Sequence, residues 1–456
     1  MPAAAVDATP DCRRGWRAEV VPLLSLATPL VIGLAASTLI GVTDTLMVAP
    51  LGETALAAVS LTSSVILIFY ATVYGALSML GVEVANAHGA RTPRRISGIV
   101  RNGLVLGLIV GAAGTGLMAA ILPLMDHAGQ PPEVVAAMGA YWLCMAALII
   151  PFALLTVLKQ MFEAIDRPWT GVAFAFLGVI VNIPLNYALI YGAWGAPELG
   201  LTGAGVASLV AETVAFLAAW IYWRRARSTR RLRTRAPVTA GTVSQQARSG
   251  APLGLMYAGE TGAYALAGVM LGWIGATALA ANQVVNAVGS VLYMLPLGMA
   301  GAVAIRVSQA SGAGELDRLR PIAGAAMGLV TVWMLGSAAV LGLAGEAIAS
   351  AIVDDPEVVS VAAGLFFVVA LMQVGDGLQS TGLGALRGLG DVGFASVVSL
   401  LTYWLLSLPL AYVLAFPMGL GATGIWAGFG TGLAVAAVAL PLRFFARTKP
   451  GGARTI

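Results

Sequence analysis

Long apolar runs alternate with short polar gaps along the whole 456-residue chain. About twelve of the runs reach the ~20 residues that, at 1.5 Å rise each, cross the hydrocarbon core of a bilayer. The runs fall at 20–47, 54–86, 96–122, 134–157, 168–192, 201–223, 251–273, 278–309, 321–343, 357–384, 391–416 and 421–445. All 25 Lys and Arg residues sit in every second gap: Arg13 to Arg17, Arg91 to Arg101, Lys159 with Arg167, Arg224 to Arg248, Arg306 to Arg320, Arg387, and Arg443 to Arg454. The intervening gaps, such as Pro50 to Glu53 and Asp354 to Glu357, are neutral or acidic. Basic loops stay on the cytoplasmic side, so the alternation predicts a multi-pass protein of a bacterial inner membrane with both termini in the cytosol.

The chain also resembles itself. Ala27-Thr-Pro-Leu30 parallels Gly250-Ala-Pro-Leu253, and Leu51-Gly-Glu-Thr-Ala-Leu-Ala-Ala58 parallels Ile274-Gly-Ala-Thr-Ala-Leu-Ala-Ala281. Asp166, Pro184 and Tyr187 match Asp391, Pro409 and Tyr412. Six spans per half is an even number, so both halves begin on the same side, and parallel repeats of this kind are related by an axis along the membrane normal. The expected fold is an all-α membrane protein of twelve transmembrane helices in two pseudo-twofold-related six-helix bundles. Residues 1–223 form the first, 250–456 the second, and a basic cytosolic linker at 224–249 acts as the hinge. Pro29 lies inside the first span and predicts a fixed kink.

Composition narrows the function. Hydrophobic residues are 59% of the chain and charged residues 10%, which excludes an ordinary soluble domain. The net charge of +4 is gathered on one face, which fits topology and contact with lipid headgroups rather than nucleic acid. Two cysteines, Cys12 and Cys144, make no disulfide framework, and with His88 and His127 as the two histidines no metal cluster or nucleophile–base pair for an enzyme is apparent. No cofactor is implied.

The chemistry lies in acids at membrane depth, where a charge costs ~2.5–3.5 kcal/mol on insertion scales. Glu260 lies twelve residues after Arg248, and Asp376 eleven before Arg387, which puts both ~16–18 Å from the basic side. Equal depth lets them share one cavity. Two adjacent carboxylates repel, a conflict that H⁺ or Na⁺ relieves. Glycines flank both, in Gly259-Glu-Thr-Gly262 and Gly375-Asp-Gly377, and predict irregular helix through which an ion reaches the acids. Asp44 ends the first span and is either interfacial or functional. Glu212 is expected to make a local hydrogen bond, and Glu83 a surface pair with His88 or Arg91. Asn182 and Asn186 either line the first half's cavity or bridge helices. Met256, Tyr257, Tyr264 and Tyr293 are candidate cavity residues, since Met and aromatic walls tolerate many ligands.

Taken together, Thr43-Asp-Thr-Leu-Met-Val-Ala-Pro-Leu-Gly52, Val181-Asn-Ile-Pro-Leu-Asn-Tyr187, Ala280-Ala-Asn-Gln-Val284, Pro296-Leu-Gly-Met-Ala300 and Leu386-Arg-Gly-Leu-Gly-Asp391 resemble the multidrug and toxic compound extrusion (MATE) family, NorM-like branch. The resemblance covers nearly the whole chain. It implies two six-helix bundles around a central cavity, working as a cation-coupled antiporter that exports lipophilic, often cationic, organic compounds by alternating access. It casts Glu260 and Asp376 as the paired coupling acids, and as ligands if the ion is Na⁺, with Asp44 as a shared first-helix aspartate. The partners implied are small organic substrates and membrane lipid, and the protein is expected to be a monomer. Asn282 departs from a common histidine; Met372 departs from an aromatic hydroxyl, and this second departure favours H⁺ over Na⁺. The alternative is a flippase for a lipid-linked precursor, which wants cations inside the cleft, whereas here Arg and Lys are expected to stay at the cytosolic edge.

Overall fold

The computed structural model describes residues 15–127, 131–234 and 236–449. Cys12, Arg13, Arg14, Arg235, Arg454 and residues 128–130 lie outside the described residues. Among the described residues, twelve long helices follow one another: α1 (Arg17–Val48), α2 (Glu53–Gly89), α3 (Pro93–Ile121), α4 (Pro132–Ala164), α5 (Pro168–Tyr191) and α6 (Leu201–Arg225). Then come α7 (Ala240–Ile274), α8 (Ala276–Gly312), α9 (Leu319–Ser350), α10 (Pro356–Gly388), α11 (Val392–Ala415) and α12 (Gly421–Arg447). Among the described residues there is no strand. Eleven of the helices are apolar enough to cross a membrane by composition; α7, which carries Arg248 and Glu260, is the twelfth.

Helix starts follow local chemistry. Proline, which has no N–H to leave unpaired, opens α3, α4, α5 and α10. Thr239 caps α7 by accepting from the Thr242 amide, so α7 begins eleven residues before the predicted 251. Arg248, Arg306, Lys159 and Arg387 accordingly lie within helices, not in loops. The linker is correspondingly short and runs along α3. There Ser97, Arg101 and Asn102 donate to the carbonyls of Thr234, Ala236 and Pro237, and the Thr239 amide donates to Asn102. α1 continues unbroken through Pro22 and Pro29.

The two halves repeat their packing. In the first, α1 packs on α5, α2 on α3 and α4, α4 on α3 and α6, and α5 on α6; the second repeats each pairing six helices later. Tight turns recur as well: Arg91 adopts φ 55° where Gly314, 223 residues on, adopts 76°. Side chains facing outward are apolar and bare, as with Leu343 at 91% exposure, which suits a lipid surround.

Between the lobes, α2 lies against α7 and α8, and α1 against α8. The approach is close enough to exclude a side chain. A Cβ on Gly89 would collide with the Gln309 carbonyl oxygen, and one on Gly312 would collide with that of Asn86. Gly89 and Gly312 are 223 residues apart, as are Asn86 and Gln309, so the contact is its own image across the pseudo-twofold axis. Gly312→Ala is expected to destabilise the protein by about 1–3 kcal/mol by overpacking, read as a lower melting temperature in detergent.

Candidate functional site

Every hydrogen bond between the lobes, among the described residues, falls at the end where Lys and Arg gather. Ser308 donates to the Val82 carbonyl at 2.7 Å. Gln309 donates to the Ala164 carbonyl and to Asp166, whose other oxygen pairs with His88. Asp166 stands in a left-handed turn between α4 and α5. Partial burial raises its pKa, but the His88 and Gln309 hydrogen bonds outweigh this and hold it below the usual value. Glu83 accepts from Gln246 and Ser249 of α7, correcting the expected surface pair with His88 or Arg91. Glu19 of α1, 1% exposed, accepts from Arg306 and Arg318 of the second lobe.

Toward the other end the second lobe holds a cavity of about 580 Å³. It runs beside α10 from Val369 to Arg387, a rise of ~27 Å at 1.5 Å per residue. Glu260 and Asp376 both line it, with Tyr257, Tyr264 and Tyr293; α2 contributes Leu67. Met256 does not line it. That side chain is 1% exposed and packed in the core.

Tyr403, which sequence reasoning misses, shapes the acid's surroundings. Its hydroxyl donates to Glu260 Oε1 at 2.9 Å, and Gln379 donates to the same hydroxyl at 3.2 Å. Tyr403 reaches Glu260 from a π-helical turn at Thr402–Ser407 within α11, a local widening that redirects side chains. Close approach of α12 at Gly432, where a Cβ would meet the Ser407 hydroxyl, accompanies that turn. The irregularity expected around Glu260 is therefore on the facing helix. α7 itself stays regular, and Gly259 instead lets α11 come close, since a Cβ there would run into Leu400. Trp404 donates to the Gly259 carbonyl at 3.0 Å. No hydrogen bond from the described residues reaches the Asp376 carboxylate, so its oxygens remain available in the cavity. Asn282 lines the same space and accepts from Trp426 Nε1. Removing the hydroxyl with Tyr403→Phe forfeits a charge-assisted bond of about 1.5–3 kcal/mol and is expected to slow initial dye efflux roughly tenfold or more.

The first lobe carries a separate polar ring. Asp44 accepts from Asn186 on one oxygen and from Ser208 at 2.8 Å on the other; Asn186 also donates to Asn182, and Asn182 to Ser208. Asn182 and Asn186 are fully buried, so they bridge α1, α5 and α6 around Asp44 and do not line the large cavity. Buried polar groups persist when mutually bonded, and this ring satisfies all of its donors while leaving Asn186 Oδ1 without one. Among the described residues no side-chain hydrogen bond reaches Glu212, contrary to expectation.

Arg387 overturns a further expectation. It does not stay at the edge: it is 6% exposed and its side chain lines the cavity floor. Helical side chains lean toward the helix N-terminus, which carries the guanidinium inward from the end of α10.

Known proteins share this architecture. The MatE family model matches residues 29–188 and 252–413, the two halves in turn. The chain is 35% identical over 441 residues to "Multidrug resistance protein NorM" of Burkholderia vietnamiensis, covering 94% of each. It is 33% identical over 449 residues to "Probable multidrug resistance protein NorM" of Deinococcus radiodurans, covering 96% and 97%. Among solved structures, a eukaryotic MATE transporter superposes with a TM-score of 0.85 at 22% identity, covering 94% of this chain and 96% of that one. A MATE transporter in an outward-facing conformation does so with 0.84 at 20% identity, covering 96% and 97%. Matched in both halves by one family model and along nearly its full length by these relatives, the chain belongs to the MatE family and is a membrane transporter, not an enzyme.

Proposed function

We propose that this protein is an inner-membrane antiporter that exports lipophilic, often cationic, organic compounds in exchange for inward H⁺ or Na⁺. The observation that carries the reading is the pairing of Glu260 and Asp376 in one cavity walled by Tyr257, Tyr264, Tyr293, Trp426 and Phe429. Apolar and aromatic walls hold an organic cation without fixed geometry, and the two carboxylates supply its counter-charge. An inorganic cation competes for the same charges, so loading one displaces the other.

Names of full-length relatives point to multidrug resistance as the process served. The basic end is the cytosolic one by the positive-inside rule. The hydrogen bonds between lobes, among the described residues, all fall at that end, which supports a working cycle in which the lobes rock about the cleft and part on the side away from the cytosol. Asp44, ringed by Asn182, Asn186 and Ser208, assists from the first lobe as a second cation-responsive group. A ligand shifts such an equilibrium only by its difference in affinity between the states, which competition at the acids provides.

A flippase for a lipid-linked precursor fits less well. Arg387 is a cation within the cavity, but a pyrophosphate would face Glu260 and Asp376 beside it. The deciding test is efflux of a cationic dye from proteoliposomes under a pH gradient alone and then a sodium gradient alone. Efflux driven by one of them establishes antiport and identifies the ion; no dye movement under either removes the reading.

A further inference from the structure

Among the described residues, every arginine in an ion pair belongs to the second lobe. Arg306 and Arg318 reach Glu19, Arg318 also reaches Glu315, and Arg443 and Arg447 share Asp391. Among the same residues, the twelve arginines of the first lobe and the linker have no acid within ion-pair distance. Acids on their side are taken elsewhere: Glu19 by the second lobe's arginines, Glu83 by Gln246 and Ser249, and Asp166 by His88 and Gln309. In the second lobe, Arg248, Arg320, Lys449 and the buried Arg387 are the described cations without an acid. The basic end is therefore lopsided, with its unneutralised charge mostly on one half.

Six of the twelve gather where α3 begins, α6 ends and the linker runs along α3: Arg94, Arg224, Arg225, Arg227, Arg230 and Arg231, all exposed. Their placement is fixed from within. The linker turn Arg227–Leu232 buries Thr229, whose hydroxyl donates to the Trp223 carbonyl, and Arg233 donates to the Ala226 carbonyl at 2.7 Å. Ser97 and Arg101 of α3 hold the chain just beyond it. Depth identifies the partner. On α6, Leu217 and Ile221 are exposed and apolar, as suits lipid tails, and Arg225 follows Ile221 by ~6 Å of rise. Arg224 lies over the Trp220 ring at 5.2 Å, and Trp169, 57% exposed, stands at the start of α5 on the same side. Tryptophan at a membrane boundary marks the headgroup level. The patch thus meets the bilayer surface, within the ~10 Å over which charges act at moderate salt.

We propose that this surface of the first lobe and linker docks on the phosphate groups of anionic phospholipid in the leaflet at the basic end, so that anionic lipid holds one half of the molecule and leaves the other free. Each basic side chain at a headgroup surface raises the preference for anionic lipid by up to about fivefold, and only unneutralised ones do so fully. Arginines already matched by Glu19, Glu315 or Asp391 have little left to offer a headgroup. The attachment is independent of cargo and coupling ion, and it can be read without transport.

The test uses the full-length protein in phosphatidylcholine vesicles at low salt, with a trace of spin-labelled phosphatidylglycerol or spin-labelled phosphatidylcholine. The spectrum reads the fraction of each that the protein immobilises. Wild type is expected to favour phosphatidylglycerol about threefold or more, and to lose that preference at high salt. Arg230→Gln with Arg231→Gln is expected to reduce the preference to roughly half or less, and lysine at both positions, which keeps the charge, to retain it. Arg443→Gln with Arg447→Gln removes the same charge from the second lobe and is expected to leave the preference unchanged. Should the linker pair not insert, Arg94→Gln with Arg224→Gln tests the same patch from two helices, with the same expected fall. An equal fall in the first-lobe and second-lobe pairs would spread the attraction over the whole face and overturn the dock. Absence of any preference in wild type overturns it as well. So does a wild type that binds tripolyphosphate in neutral vesicles while ignoring phosphatidylglycerol, since the surface would then serve a soluble polyanion.

Discussion

Glu260→Gln is expected to bring gradient-driven dye efflux down to the leak of protein-free vesicles while the protein still inserts and folds. The substitution is nearly isosteric, and its carbonyl oxygen can still accept the Tyr403 hydrogen bond seen at 2.9 Å. In the antiport proposed above, what it removes is the ability to alternate between charged and neutralised forms. Losing a bond to the acid, as in Tyr403→Phe, weakens one state of that alternation. Losing the charge removes the alternation itself, so the effect should exceed that of any neighbouring substitution. Asp376→Asn is expected to act in the same direction, since both acids line one cavity and neither can take over the other's counter-charge at the same position. Efflux by Glu260→Gln above roughly a tenth of the wild-type rate, a loss of under about 1.4 kcal/mol in transition-state terms, would remove Glu260 from the coupling step.

Much of this arrangement is legible in the order of residues alone. A span is long, apolar and bounded by charge, so the twelve helices follow from periods of about twenty residues, and depth follows from counting 1.5 Å per residue from a basic boundary. That arithmetic places Glu260 and Asp376 level with one another, and the structure lines one cavity with both. The repeat of 223 residues predicts a twofold relation, and the Gly89–Gln309 and Gly312–Asn86 contacts obey it.

What stays hidden is azimuth and pairing. Depth does not say which way a helix side chain faces, so Met256 and Tyr257 look equally suited to the cavity although one is core and the other wall. Arg387 is misjudged for a related reason: its Cα is at the boundary, but its long side chain leads back into the protein. Tyr403 escapes notice because a π turn leaves no mark in a run of Thr-Tyr-Trp-Leu-Leu-Ser. Pairings between distant segments are likewise invisible in a single chain. Glu19 and Arg306 are 287 residues apart, and nothing local in either stretch announces the other.

That last pair supports the second large effect. Glu19→Ala is expected to unlatch the basic end of the transporter. Among the described residues Glu19 is the one acid there that is wholly buried, and it receives Arg318 Nη2 at 2.8 Å and Arg306 Nη2 at 3.3 Å. Breaking a buried ion pair by deleting one member costs about 3–5 kcal/mol, and the lower end applies here because both arginines keep some contact with solvent. Even 3 kcal/mol alters a two-state equilibrium by roughly 100-fold, enough to convert a strongly closed end into one open much of the time. A cysteine at Ser308, whose hydroxyl now meets the Val82 carbonyl between the lobes, reports the change. In a background with Cys12 and Cys144 replaced, it should react slowly with a maleimide applied from the basic side and many-fold faster once Glu19 is Ala. The readout separates two roles that a stability measurement alone would merge. A lower melting temperature with unchanged labelling would mean that Glu19 holds the fold, whereas faster labelling at similar stability means that it holds the state, because only opening of the lobes brings Ser308 to solvent.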